Sequence, residues 1–201
     1  RTSNGSPDFH HHAKPSLTNA MVISKLLAAG ATLTGMTICD EFFYSLTGAN
    51  AHYGTPINLR APGRLPGGSS SGSAAAMTAG ISDFAVGSDT GGSVRIPASF
   101  CGLWGIRPSL GRVSLDGGRA MAPSFDTAGW FTNDAELLSV VGRVVLEGGP
   151  DRSAIARFVI ADDVLARTDD PITSAFSTWV KTAALDAVES LTIASDGLDS
   201  W

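Results

Sequence analysis

The chain has 201 residues, 14 Lys and Arg against 19 Asp and Glu, and a formal net charge of −5. A hydrophobic fraction of 43% is far too high for a disordered chain, and the length suits one domain or a piece of a larger one. The acidic balance argues against a nucleic-acid partner, no apolar run is long enough to cross a bilayer, and two cysteines, Cys39 and Cys101, exclude a disulfide scaffold and a Cys-rich zinc site.

Residues 1–15 are polar, with three consecutive histidines, His10 to His12, and read as loop. Ser16 can cap a helix running to about Ala29, which Gly30 stops. Thr32 to Ile38 reads as a short buried strand. Residues 40–66 read as irregular. Gly67 to Ser73 then opens a tightly packed alanine-rich helix, followed by a strand over Phe84–Ser88. A second glycine turn, Asp89-Thr90-Gly91-Gly92-Ser93, leads into a short helix over Val94–Cys101 and a strand over Leu103–Ile106. Apolar spacing at Leu137, Leu138, Val141, Val144 and Val145 marks a helix over Asp134–Leu146, capped by Asn133 or Asp134. Arg157–Ala161 reads as a strand, Pro171–Leu191 as a helix and Leu191–Ala194 as a strand. The rhythm is that of an α/β protein. Gly148–Ser153 is the one weak boundary within it.

The chemistry concentrates in the two Ser/Gly turns. Glycines let backbone N–H groups crowd around one point, which makes an anion or oxyanion site, and a serine held there can attack a carbonyl. A Ser-His-Asp reading lacks a well-placed histidine, since His10 to His12 lie in a polar loop and only His52 is near the Gly-rich region. Gly67–Ser73 lacks the Gly-Lys-Ser/Thr ending of a phosphate loop, and Gly91-Gly92 lacks the third glycine of a dinucleotide fingerprint. A purely structural pair of Gly/Ser loops stays open.

Gly67-Gly68-Ser69-Ser70-Ser71-Gly72-Ser73-Ala74-Ala75, Gly87 to Ala98 and Gly105-Ile106-Arg107-Pro108-Ser109 together resemble the amidase signature family. Ser69 and Ser93 stand 24 positions apart, as the family's two catalytic serines do. Weaker likenesses are Gly30-Ala31-Thr32, Asp40-Glu41-Phe42, Asn50, Tyr53 to Pro56 and Phe125 to Gly129. Ala51 to Pro56 and Ile160 to Asp163 look like the indole-3-acetamide amidohydrolase branch; a related branch comprises amidase-like receptors of chloroplast protein import.

The resemblance implies an α/β fold, a mixed β-sheet covered by helices on both faces and incomplete in this chain, with the signature core at about 60–130. It implies a Ser–cis-Ser–Lys triad with Ser93 as nucleophile and Ser69 as the bridging serine on a cis peptide. Thr90, Gly91, Gly92 and Ser93 would supply the oxyanion hole. Asp89 and Arg95 would be an ion pair or hydrogen-bonding brace for the turn. The family's base is a lysine on a strand upstream of the first serine, and none of Lys14, Lys25 and Lys181 stands in that motif. The chain therefore reads as a fragment, lacking the lysine-bearing N-terminal segment and a C-terminal part, and inactive by itself. The implied activity is hydrolysis of a small carboxamide through a serine acyl-enzyme, with no cofactor and no metal. The substrate would be the only partner, with no nucleic acid or membrane and a possible homodimer, in the cytoplasm. A noncatalytic amidase-like receptor and the amidase subunit of a tRNA-dependent amidotransferase are the competing readings. His10 to His12 are expected to be solvated and Cys101 an inert core thiol. Phe42, Phe43, Tyr44 and Leu46 could equally line a substrate pocket or pack in the core.

Overall fold

The computed structural model describes residues 1–148, 158–183 and 188–197, in two compact units, Arg1–Pro150 and Asp151–Trp201. The unit boundary falls in the Gly148–Ser153 stretch, most of which lies outside the described residues.

In the first unit the order is α1 (Pro7–His12), α2 (Met21–Ala28), α3 (Ser71–Thr78), β1 (Phe84–Asp89), α4 (Arg95–Phe100), β2 (Trp104–Ile106), β3 (Thr127–Thr132) and α5 (Ala135–Val145). The three strands form an antiparallel sheet in the order β1-β3-β2. Every residue of the central β3 is buried, and its period-two alternation divides the core. Ala128 and Trp130 pack with Val22 and Leu26 of α2 and Val141 and Val145 of α5. Phe131 packs on the opposite face with Ala74 and Met77 of α3, and with Val94, Ala98 and Cys101 around α4. Helices thus cover both faces of this sheet. The Trp130 indole N–H, carried into the interior, finds an acceptor in the Leu138 carbonyl at 3.0 Å.

The second unit pairs β4 (Phe158–Ala161) and β5 (Val188–Leu191) in parallel, with α6 (Asp162–Leu165) and α7 (Asp170–Thr182) between them in sequence. Its Asp163 carboxylate accepts the N–H groups of Ile193 and Ala194, which hold its carboxyl below the ordinary carboxylate range.

Five sequence expectations change. Residues 1–15 contain a helix, α1, with Pro7 and Asp8 in its first turn and His10 to His12 in its last, an order that suits the helix dipole. Six residues do not make a stable helix by themselves, and here Phe9 is held by the Phe42 ring and by the Arg119 guanidinium 4.5 Å from its centroid. Helix α2 begins at Met21, not after Ser16, because the Met21 N–H is taken by the Asp116 carbonyl at 2.8 Å. Gly30 ends it, at φ +94°. Thr32–Ile38 forms no strand and is largely exposed. Hydroxyls of α3 and its cap take up β1 groups instead: Ser70 Oγ meets the N–H and carbonyl of Ser88, and Ser73 Oγ donates to the Val86 carbonyl. Thr37 reaches Ser73 by side chain alone. Finally, the helix expected over Pro171–Leu191 stops at Thr182, and the last strand is Val188–Leu191 rather than Leu191–Ala194. Residues 184–187 between them lie outside the described residues, as does Arg157 of the expected strand Arg157–Ala161.

Candidate active site

Two chain segments meet at the C-terminal end of β1. The first is Gly67–Ser70, which runs into α3, and its Gly68–Ser69 peptide is cis. It is held by backbone bonds on both sides: Gly68 N–H donates to the Leu46 carbonyl at 2.9 Å, and the Ser69 carbonyl accepts from Asp40 N–H at 3.1 Å. A side chain at position 68 is excluded, since a Cβ would stand 2.4 Å from Asp40 Oδ2. That carboxylate oxygen accepts the Gly48 N–H at 3.0 Å. The Ser69 hydroxyl is buried and has no hydrogen-bond partner among the described residues.

The second segment is the turn Asp89–Ser93, between β1 and α4. Ser70 N–H donates to the Ser93 carbonyl at 3.1 Å and ties the two segments together. Asp89 is fully buried and organises the turn. Its Oδ1 accepts the Gly92 N–H at 2.8 Å, and its Oδ2 accepts Val94 N–H at 3.0 Å and Arg95 N–H at 3.2 Å. Arg95 grips the same carboxylate with Nε and Nη2 at 3.1 and 2.9 Å, and Arg107 Nη1 stands 3.2 Å from Oδ1. Burial pushes the Asp89 carboxyl up, but the Arg95 side chain, the two backbone N–H groups and the Arg95 charge outweigh it and hold the group far below the ordinary carboxylate range. A carboxylate with this many donors stays ionised and fixes the backbone around it.

The inward bond from Gly92 changes the expected donor set. Its N–H serves Asp89, whereas those of Thr90, Gly91 and Ser93 find no acceptor among the described residues. These three are the groups that an anionic oxygen could use. At φ +132° Gly92 turns the chain so that this is possible. Ser93 itself is 4% exposed.

The turn has a second fastening. Thr90 Oγ1 donates to Asp126 Oδ1 at 2.5 Å, and Asp126 Oδ2 accepts the N–H groups of Met121 and Ala122 at 2.8 and 2.9 Å. Sequence reasoning gave Arg107 and Asp126 no role. The signal lies in Gly105–Ser109 and Phe125–Gly129: an arginine directly after an apolar strand, and an aspartate directly before the buried β3.

Beside Ser69 lies a pocket of about 160 Å³ lined by Thr37, Cys39, Phe43, Ser70, Ser73 and Ser88, among others. Phe43 lines it, at φ +70°, whereas Phe42, Tyr44 and Leu46 are exposed. Burial and the neighbouring Asp40 charge push the Cys39 thiol up to about 11. Cys101 is fully buried and donates Sγ–H to the Pro66 carbonyl, an inert setting. His52 pairs with Glu41 at 3.0 Å and takes no part in either serine turn. Lys25 pairs with Glu147, Lys14 is exposed, and Lys181 belongs to the second unit. Among the described residues no cluster of His, Cys, Asp and Glu suits a metal ion, and no helix is long and apolar enough to cross a membrane.

The first unit is thus an α/β layer covered on both faces, in which one strand ends at a serine-bearing turn with three N–H groups unbonded among the described residues. The chain belongs to the amidase family, whose match covers residues 1–171. It is 55% identical over 146 residues to Amidase 1 of Arabidopsis thaliana, covering 73% of this chain and 34% of that protein. It is 42% identical over 169 residues to Translocon at the outer membrane of chloroplasts 64 of Pisum sativum, covering 84% of this chain and 28% of that protein. Among solved structures, that of an amidase superposes with a TM-score of 0.82 at 33% identity, over 94% of this chain and 45% of the other. The chain thus spans about a third of the length of the curated relatives it matches.

Proposed function

We propose that the protein hydrolyses a small carboxamide to a carboxylate and ammonia through an acyl-enzyme on Ser93. The observation that carries this reading is the Asp89–Ser93 turn, in which Asp89 ties down three N–H groups and leaves those of Thr90, Gly91 and Ser93 for a developing oxyanion. Ser93 Oγ attacks the amide carbon and its proton passes through the Ser69 hydroxyl to a base. The base in this reading is a lysine; of the two in the first unit, Lys25 pairs with Glu147 and Lys14 is exposed, and neither is given this role. The C–N bond breaks, the leaving nitrogen takes the proton, and water hydrolyses the resulting ester. An aryl-acetyl group suits a wall containing Phe43.

A second reading, a noncatalytic receptor, has support in the broader coverage by the chloroplast translocon relative, 84% of this chain against 73% for Amidase 1. Ammonia release from aryl-acetamides by the naturally expressed protein tests between them. The enzyme reading expects turnover that Ser93→Ala lowers by at least about a thousandfold. Folded wild-type protein that releases no ammonia from any carboxamide in the screen would favour the receptor.

A further inference from the structure

We infer that Arg107 is a positioning residue for the oxyanion turn, acting through the backbone rather than on the substrate. The inference rests on the reading of Ser93 as nucleophile given above. Arg107 follows β2, and its side chain is 19% exposed. Its Nη1 donates to the Asp89 carbonyl at 2.5 Å and to the Thr90 carbonyl at 3.1 Å, and its Nη2 donates to the Phe125 carbonyl at 2.7 Å.

The consequence follows from peptide geometry. In a trans peptide the C=O and N–H point in opposite directions. The Asp89 carbonyl shares its peptide with Thr90 N–H, and the Thr90 carbonyl shares its peptide with Gly91 N–H. A guanidinium that collects both carbonyls on one side therefore aims both N–H groups to the other. Those two are among the three free donors of the turn. The positive charge behind the carbonyls also polarises each peptide and strengthens its N–H as a donor.

Two further bonds make the arrangement stiff. Nη2 anchors the guanidinium to Phe125, and the next residue, Asp126, takes the Thr90 hydroxyl. Arg107 and Asp126 thus clamp the turn from one loop. Arg95 differs from Arg107: among the described residues its side chain binds only the Asp89 carboxylate, and it is 53% exposed. A lysine at 107 cannot span these oxygens, because an ammonium is a point donor and lacks the planar fork.

The test is the rate at which a fluorophosphonate labels Ser93 in the naturally expressed protein. In this reaction an Oγ–P bond forms, the P–F bond breaks, fluoride leaves and the serine proton goes to the base. The P=O oxygen occupies the same donors as an amide oxyanion. Arg107→Met is expected to label about tenfold to hundredfold more slowly, with kcat for amide hydrolysis reduced in parallel and KM within about twofold. Arg107→Lys, which keeps the charge and the stem, is expected to remain slow; it also serves if the Met variant does not fold. Labelling of either folded variant at the wild-type rate overturns the role of Arg107 and leaves the proposed function standing. A wild-type protein that is not labelled at Ser93 overturns both.

Discussion

Asp89 concentrates the electrostatics of the site in one residue. It is buried, paired with Arg95 and bonded to three N–H groups, and its carboxyl lies far below its value in an unfolded chain. A depressed carboxyl stabilises the fold fully above its unfolded value, about 3.9, and loses that contribution as pH falls further toward its folded value. Asp89→Asn is therefore expected to cost about 3 kcal/mol near neutrality, at the low end for a buried pair because Arg95 stays half in water. Urea midpoints of the two proteins should differ by a constant amount from pH 7 to about pH 4 and converge below it. A difference that held unchanged down to pH 2 would remove the ionised carboxylate from this account. At this scale the cis peptide at Ser69, the Asp89–Arg95 brace and the buried Cys101 were legible, because each sits in a motif whose residue types restrict its conformation or pairing. The inward bond of Gly92 was not. Four consecutive N–H groups look alike in sequence, and only the fold decides which one faces a carboxylate.

Elements were legible where both ends carry a local signal. Helix α5 begins at Asp134, whose Oδ1 accepts the Leu137 N–H at 2.7 Å, and its apolar spacing continues to Val145. Asp134→Ala should cost about 1 kcal/mol of unfolding free energy in a denaturant titration; no change would mean that the cap bond is idle in solution. Strand β3 is the central strand, yet no strand reading covered it. It is buried throughout and has a glycine at position 129, where a Cβ would stand 2.2 Å from the Ile106 carbonyl oxygen. Its alternation is between core and core, so no polar face marks it in sequence. Thr32–Ile38 failed in the opposite sense. Its composition suits a strand, but a ladder needs a partner, and Ser70 and Ser73 already hold Ser88 and Val86 of β1. Helix α1 was hidden because six residues carry little propensity of their own, and Phe42 and Arg119, which hold Phe9, come from far along the chain.

Over the whole molecule, the proposed nucleophile, its proposed relay and the three unbonded N–H groups all belong to the first unit, and no lysine is given the role of base. The chain spans about a third of its curated relatives, and its three lysines lie in a polar segment, in a pair with Glu147 and in the second unit. Family membership was legible because two long motifs keep their spacing, whereas an acyl-group preference depends on side chains that only the fold brings together. The assignment of Ser93 is tested on the naturally expressed protein. The most direct measurement is the intact mass of that natural protein after fluorophosphonate treatment, with Ser93→Ala alongside. One adduct on the wild type, absent from the variant, is the outcome this account predicts. A folded wild type without an adduct, or an adduct that survives Ser93→Ala, would contradict it.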